Sequence, residues 1–163
     1  MATHYNVLFL CTGNSARSIM AEAILNHTGK GLFTAYSAGS HPSGTPRGEA
    51  LKQIESAGIS AQGLRSKSWD EFAAPGAPHL DFVFTVCDNA AREECPYWPG
   101  QPMTAHWGIA DPAAVKGTPE EISRAFRDAF VVLDRRIGLF LSLPLLTLHE
   151  LAIQKEIDRI GLS

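Results

Sequence analysis

A chain of 163 residues is long enough for one domain with a full hydrophobic core, and 45% hydrophobic with 19% charged residues is an ordinary globular balance. The net charge is −3 at pH 7 without a long basic run, so we expect no nucleic-acid partner and no anionic membrane partner. The N-terminus lacks a signal-peptide pattern, and polar residues and a proline interrupt the apolar stretch over 137–148. We therefore expect a cytoplasmic monomer, with residues 1–163 forming a single domain.

The opening part of the chain has the pattern of a strand, a helix and a second strand. Residues 6–10, NVLFL, form a short apolar run typical of a buried strand, and Gly13 is expected to permit an unusual backbone angle after it. Apolar residues then recur at helical spacing over 20–25, and residues 29–31 mark the end of that helix. Residues 32–38 predict the second strand.

The middle of the chain predicts a second helix and a third strand. Thr45 and Pro46 are suited to the N-cap and the first helical position, and Gly58 is suited to closing the helix. Residues 81–86, DFVFTV, predict the third strand, and residues 88–95 predict a short helix.

The last part of the chain predicts one strand and two helices. Residues 103–107 form the fourth strand, and Pro119 begins a long helix with Thr118 as N-cap and Glu121 completing a capping box. A final helix is predicted over 144–160. Its inward-facing residues are expected to be Leu148, Leu151, Ile157 and Ile160.

This alternation of strands and helices predicts an α/β fold. We expect a three-layer sandwich in which a four-stranded parallel sheet is flanked by helices on both faces. Ligands of such sheets bind at the carboxyl ends of the strands. Cys11, Cys87 and Asp111 each follow a predicted strand, so the three side chains are expected to meet at one edge of the sheet.

The segment between the first strand and the first helix, CTGNSARS, has the composition of an oxyanion-binding loop. Five residues separate Cys11 from Arg17, a spacing that suits a loop wrapped around one tetrahedral anion. Backbone N–H groups, the helix N-terminus and two parallel bonds from Arg17 would hold the anion, and the same field favours the thiolate of Cys11. Ser18 can donate a further hydrogen bond to that sulfur. The predicted oxyanion-binding residues are Thr12, Gly13, Asn14, Ser15, Ala16, Arg17 and Ser18.

The alternative for Cys11 is a buried cysteine at a strand end with no chemical role. Cysteine, glycine and arginine together on a strand, loop and helix favour the functional interpretation.

The stretch VLFLCTGNSARSIMAEAIL resembles the opening of low-molecular-weight protein tyrosine phosphatases and of arsenate reductases with the same fold. Residues 36–39 (YSAG), 81–87 (DFVFTVC) and 111–112 (DP) follow in family order, so the resemblance covers roughly residues 5–140. It implies the low-molecular-weight phosphotyrosine phosphatase-like fold, with Asp111 as the general acid.

Two features favour the reductase over the phosphatase. Reduction of arsenate consumes two electrons, and thioredoxin-coupled reductases of this family carry two cysteines in the region where this chain has Cys87 and Cys95. After Asp111, where the phosphatases commonly place aromatic residues, this chain has AAV at 113–115. The phosphotyrosine phosphatase remains the alternative, and a non-catalytic anion-binding module is a third hypothesis.

The resemblance also implies the reaction sequence and its partners. Arsenate forms an adduct on Cys11, and a disulfide relay then passes from Cys11 through Cys87 to Cys95. No bound cofactor and no metal ion are expected. The external reductant is expected to be thioredoxin or another thiol-redox protein.

Some reductases of this fold bind potassium beside the loop, through residues that match Asn14, Glu22 and Ser37 here. At the position of a further acidic ligand this chain reads Arg65-Ser-Lys-Ser68. The ammonium of Lys67 is predicted to replace the metal ion by pairing with Glu22; the alternative is a solvated surface lysine.

Overall fold

The fold is built on a parallel sheet, which the computed structural model shows within the described residues, 4–87 and 101–163. The strands are β1 (Tyr5–Cys11), β2 (Phe33–Gly39), β3 (Phe82–Thr85) and β4 (Met103–His106), in the order β2-β1-β3-β4. Each agrees with a strand predicted from the sequence to within one residue at either end. β1 pairs with β2 and β3, which explains why its residues form a continuous apolar run.

Helices connect and cover these strands in the described part of the chain. They are α1 (Arg17–Thr28), α2 (Gly48–Ser56), α3 (Pro119–Leu141) and α4 (Glu150–Ile160). The predicted capping box of the long helix is confirmed, because Thr118 Oγ1 accepts from the Glu121 amide while Glu121 Oε1 accepts from the Thr118 amide. The short helix expected over 88–95 lies outside the described residues.

The start predicted for the second helix is wrong by two residues. The helix begins at Gly48 with Arg47 as its N-cap, instead of beginning at Pro46 with Thr45 as the cap. Tertiary contact is the reason, because the Arg47 amide donates to the Ser15 carbonyl (2.8 Å) and so ties this segment to the loop after β1. The predicted end is confirmed, since Gly58 follows the helix with a φ of 79°.

The last helix is shorter than predicted, beginning at Glu150. The carbonyl of Pro144 accepts from the amides of Thr147 and Leu148, which makes a turn there, and His149 caps the helix that follows. This boundary changes which residues face inward. Leu151 is 76% exposed, contrary to the prediction, whereas Ile153, Ile157 and Ile160 are buried.

Apolar clusters cover both faces of the sheet in the described part of the chain. In β1, Val7 and Phe9 contribute to a large apolar cluster shared with the four described helices, while Leu8 and Leu10 join a smaller cluster on the opposite face. The smaller cluster is completed by the 3₁₀ turn Trp69–Phe72. Within the described residues, none of the helices is long and apolar enough to cross a membrane.

Candidate active site

The loop after β1 is held open by hydrogen bonds to its carbonyl groups. Three loop carbonyls accept, at 2.8–2.9 Å, from backbone amides in the segment 41–47. The pairs are Thr12 with His41, Gly13 with Ser43, and Ser15 with Arg47. α1 then begins at Arg17 without a side-chain cap at Ala16, so its first-turn N–H groups and the positive end of its dipole face the loop. This arrangement suits a small anion.

The unusual backbone angle of the loop belongs to Asn14, not to Gly13 as predicted. Asn14 has a φ of 45°, in the left-handed region that asparagine tolerates because its short side chain can hydrogen-bond locally. Gly39, at the end of β2, is a position that requires glycine for a steric reason. A Cβ there would lie 2.4 Å from the Thr12 carbonyl oxygen, so only glycine lets β2 approach the loop this closely.

A chain of buried hydrogen bonds leads to the sulfur of Cys11. The backbone amide of Lys67 donates to Asn14 Oδ1 (2.8 Å), which fixes the orientation of the Asn14 amide. Asn14 Nδ2 then donates to Ser18 Oγ (2.8 Å), which in turn lies 2.9 Å from Cys11 Sγ. Since the Asn14 amide nitrogen only donates, the Ser18 hydroxyl hydrogen is left for the sulfur and stabilises a Cys11 thiolate.

Arg17 connects the loop to the segment that follows β4. Its Nη1 donates to the Ile109 carbonyl (3.0 Å), and its Nη2 lies 3.7 Å from Asp111 Oδ2. The Arg17 side chain is only 14% exposed, whereas that of Asp111 is 43% exposed. Asp111 Oδ1 accepts from the Ala113 amide (2.9 Å), which directs the carboxyl group into the site from the start of a short 3₁₀ turn.

Cys87 lies beside the loop of Cys11. The Thr12 amide nitrogen is 3.3 Å from Cys87 Sγ, and Thr12 Oγ1 is 3.6 Å from the same sulfur. Cys87 is 3% exposed, and the residue before it is tied to β1 because the Val86 amide donates to the Leu10 carbonyl (2.8 Å). The Thr12 N–H is therefore directed to the sulfur of Cys87. The other member of the predicted relay, Cys95, lies outside the described residues.

The predicted pairing of Lys67 with Glu22 is present beside the loop. Lys67 Nζ lies 3.7 Å from Glu22 Oε1, which also accepts from Ser37 Oγ, and the Lys67 side chain is only 7% exposed. Burial raises the pKa of Glu22 by more than Lys67 lowers it, and burial lowers the pKa of Lys67 by more than Glu22 raises it. For both Glu22 and Lys67, the effect of desolvation on the pKa therefore exceeds the effect of the ion pair.

Replacing Lys67 by methionine is expected to lower the free energy of unfolding by about 3 kcal/mol, because a buried carboxylate is left without its cation. The loss should be largest near neutral pH. In this variant the Glu22 pKa rises further above its unfolded value, so the loss shrinks as acidification protonates Glu22. Urea unfolding between pH 4 and 8 measures this, with Lys52→Met as an exposed-lysine control.

Removing both partners should restore most of that loss, because Glu22→Gln in the Lys67→Met background leaves no unpaired charge. Potassium should stabilise the wild-type protein no more than sodium does, since the ammonium already neutralises Glu22. A potassium-specific rise in the melting temperature of the wild type would contradict the replacement of a metal ion by Lys67.

Several contributors to the site had no signal in the sequence. The Ile109 carbonyl that receives Arg17 is a backbone group, and Ser66 reaches the Gly13 carbonyl (3.2 Å) across 53 residues of chain. Trp107 is fully buried and stacks on Phe84 at 4.0 Å between ring centroids, so it packs in the core. Within the described residues, no group of three or more His, Cys, Asp or Glu side chains is arranged to hold a metal ion.

Known proteins similar to this chain share both its sequence pattern and its fold. A family model for low molecular weight phosphotyrosine protein phosphatases matches residues 6–152. An arsenate reductase of Shouchella clausii (strain KSM-K16) is 35% identical over 134 residues, which are 82% of this chain and 93% of the relative. A solved arsenate reductase in the phosphate binding state has a TM-score of 0.67 at 26% identity, covering 82% of this chain and 94% of that one. The low molecular weight protein tyrosine phosphatase from T. tengcongensis has a TM-score of 0.66 at 25% identity, covering 82% and 95%.

Proposed function

The chain belongs to the low molecular weight phosphotyrosine protein phosphatase family, and from that premise we propose that it is an arsenate reductase, converting arsenate to arsenite in arsenic detoxification. The observation that carries this proposal is the position of Cys87. Its sulfur lies 3.3 Å from the amide of Thr12, the residue directly after the nucleophile Cys11. Phosphate-ester hydrolysis needs no second thiol there, whereas a two-electron reduction does.

The surroundings of Asp111 also favour a small free anion over an aryl phosphate. The 3₁₀ turn after Asp111 consists of Pro112–Ala114, and Trp107 is buried in the core. In the part of the site that the structure describes, the turn after Asp111 therefore offers no aromatic surface on which a phosphotyrosine ring would stack. Arsenate fills the loop by itself and needs no such surface.

Chemistry begins in the loop after β1. Arsenate is held by Arg17 and by N–H groups of residues 13–18, since the Thr12 N–H is directed to Cys87, and it displaces Asp111 from the guanidinium. The Cys11 thiolate, stabilised by Ser18, attacks arsenic. Asp111 protonates a departing hydroxide, which leaves as water, so a covalent bond joins Cys11 Sγ to arsenic.

Electron transfer follows at Cys87. Its thiolate, held by Thr12, attacks Cys11 Sγ, and the sulfur–arsenic bond breaks with both electrons moving to arsenic. Arsenite leaves with As(V) reduced to As(III), and a Cys11–Cys87 disulfide remains. Cys95 then attacks Cys87, releases the Cys11 thiolate and forms a Cys87–Cys95 disulfide. An external dithiol, for which we propose thioredoxin in a reducing cytoplasm, returns that pair to thiols.

One coupled assay tests the proposed function directly. NADPH oxidation is followed with thioredoxin and thioredoxin reductase, with and without arsenate, and arsenite is quantified at the end. Arsenate-dependent NADPH oxidation with equimolar arsenite supports the reductase. Efficient hydrolysis of an aryl phosphate without arsenite formation would select the phosphatase alternative, and neither activity would leave an anion-binding module.

Replacing Asp111 by asparagine is expected to slow formation of the arsenic adduct by about a hundredfold, the contribution typical of a positioned general acid. Asparagine still accepts from the Ala113 amide, so the 3₁₀ turn is preserved. The measurement is the single-turnover rate with enzyme in excess over arsenate, and Asp134→Asn on the exposed face of α3 is the control. An unchanged rate would make Asp111 a purely structural residue.

A further inference from the structure

A buried arginine on α3, Arg136, contacts the segment that carries Asp111. We propose that Arg136 is a positioning residue, whose guanidinium fixes the backbone at Trp107 and Gly108 and thereby holds the Asp111 loop, residues 107–112, against Arg17. The inference rests on the proposed function, in which Arg17 binds the oxyanion and Asp111 donates a proton to the leaving group.

Arg136 is a buried cation whose hydrogen bonds go to backbone oxygens. It lies on α3 and is 6% exposed. Its Nη1 donates to the carbonyls of Trp107 (3.0 Å) and Gly108 (3.2 Å), and its Nη2 donates to a main-chain oxygen of Ser163 (3.0 Å). Within the described ranges no carboxylate pairs with it, and its Nε has no hydrogen-bond partner. Burying a guanidinium costs stability unless its N–H groups are paired, so these backbone contacts both satisfy Arg136 and fix the segment that it touches.

Hydrogen bonds hold both the amide groups and the carbonyl groups at the start of the Asp111 loop, and Arg136 supplies those to the carbonyl groups. β3 holds the amide side, because the Trp107 amide donates to the Thr85 carbonyl and the Ile109 amide donates to the Val86 carbonyl. Arg136 holds the carbonyl side of the same turn. The next carbonyl, that of Ile109, accepts from Arg17. Two residues further on, Asp111 faces the same guanidinium.

The start of this loop packs against α3, because Trp107 contacts Phe140, whereas a cleft lies between α3 and the later residues of the loop. This cleft has a volume of about 410 Å³, and its lining includes Ile109, Asp111, Val115, Ala129, Val132 and Arg136. Because the cleft leaves part of this side of the loop without apolar contacts, the hydrogen bonds from Arg136 and Arg17 help to set the position of its later residues. Small shifts of a catalytic group are costly, since misplacement by about 1 Å reduces rates by about a hundredfold.

The test is a double-mutant cycle on the full chain, made of wild type, Arg136→Met, Asp111→Asn and the double variant. The single-turnover rate of arsenate reduction should fall about 10- to 100-fold in Arg136→Met, the effect typical of a supporting residue behind a catalytic group. In the Asp111→Asn background the same change should cost less than about threefold, because the group that Arg136 positions is already gone. Arg127→Met, at an exposed position of α3, is the matched control and should leave the rate unchanged.

Binding of inorganic phosphate gives a second, independent readout. Its dissociation constant should stay within about threefold in Arg136→Met, because Arg17 and the N–H groups that hold the anion belong to α1 and to the loop before it. The cycle is repeated with Arg136→Gln, which keeps an N–H₂ donor, so that poor folding of the methionine variant does not decide the result. Partial recovery by Arg136→Lys is also expected.

Each outcome bears on a separate claim. Multiplicative losses from Arg136→Met and Asp111→Asn would overturn the inference and leave the proposed function intact, because Arg136 would then act independently of Asp111. An Arg136→Met rate equal to wild type would do the same. A wild-type protein that binds phosphate but makes no arsenite would overturn the proposed function, and the inference would fall with it.

Discussion

Replacement of Cys11 by serine is expected to abolish arsenate reduction and any hydrolysis of aryl phosphates, with both rates falling by at least about a thousandfold. The loop places a single sulfur at the N-terminus of α1, 2.9 Å from Ser18 Oγ. A serine hydroxyl stays protonated in that position, so it is a far poorer nucleophile than a thiolate. Arsenite formation and hydrolysis of p-nitrophenyl phosphate are measured on the same preparation.

The loop itself should survive this change, because its geometry depends on the carbonyl contacts of residues 12–15 and on the Asn14 side chain. Phosphate binding and the melting temperature therefore serve as controls, and both are expected to stay close to wild type. Appreciable turnover of either substrate by a correctly folded Cys11→Ser variant would remove Cys11 from its assigned role.

Substitution of the two later cysteines is expected to stop the reaction at two different stages. Cys87→Ser should form the arsenic adduct on Cys11 and release almost no arsenite, because no thiol remains beside Thr12 to attack Cys11. Cys95→Ser should release about one arsenite per enzyme and then accumulate a Cys11–Cys87 disulfide. Intact-mass analysis and peptide mapping after one exposure to arsenate distinguish the two products.

Aryl phosphatase activity supplies the internal control for this pair. It needs only Cys11, Arg17 and Asp111, so it should be retained in both variants if their loops are intact. Undiminished multiple turnover by Cys95→Ser with thioredoxin would contradict the three-cysteine relay. In that case an external thiol would resolve the Cys11–Cys87 disulfide or the adduct directly.

Local chemistry in the sequence was sufficient for most of the fold. The apolar runs at 6–10 and 81–86 became strands, and the capping box at Thr118 and Glu121 starts α3 as predicted. These signals act over a few residues, through hydrogen bonds or burial that any fold with this pattern would provide. The loop from Cys11 to Ser18 was predictable for the same reason, because its residues are adjacent in the chain.

Contacts between distant residues decided where several local signals took effect. Because the Arg47 amide donates to the Ser15 carbonyl, α2 begins at Gly48, although Thr45 and Pro46 are a favourable helix start locally. Asn14 took the left-handed angle expected for Gly13, because its side chain is held between Lys67 and Ser18. Each of these outcomes depends on a partner about 30 to 50 residues away, which local propensity does not register.

The sequence by itself determined the parallel α/β sheet, the loop between β1 and α1, and the placement of Cys11, Cys87 and Asp111 on the carboxyl side of the strands, because each follows from short-range pattern and from the geometry of parallel strands. Only the tertiary structure decided that Cys87 receives the Thr12 amide, that Arg17 is held by the Ile109 carbonyl, and that Arg136 anchors the loop carrying Asp111. The physical reason is that these contacts are made to backbone groups, which every residue carries. Their partners are therefore chosen by how the strands and helices pack, not by residue type.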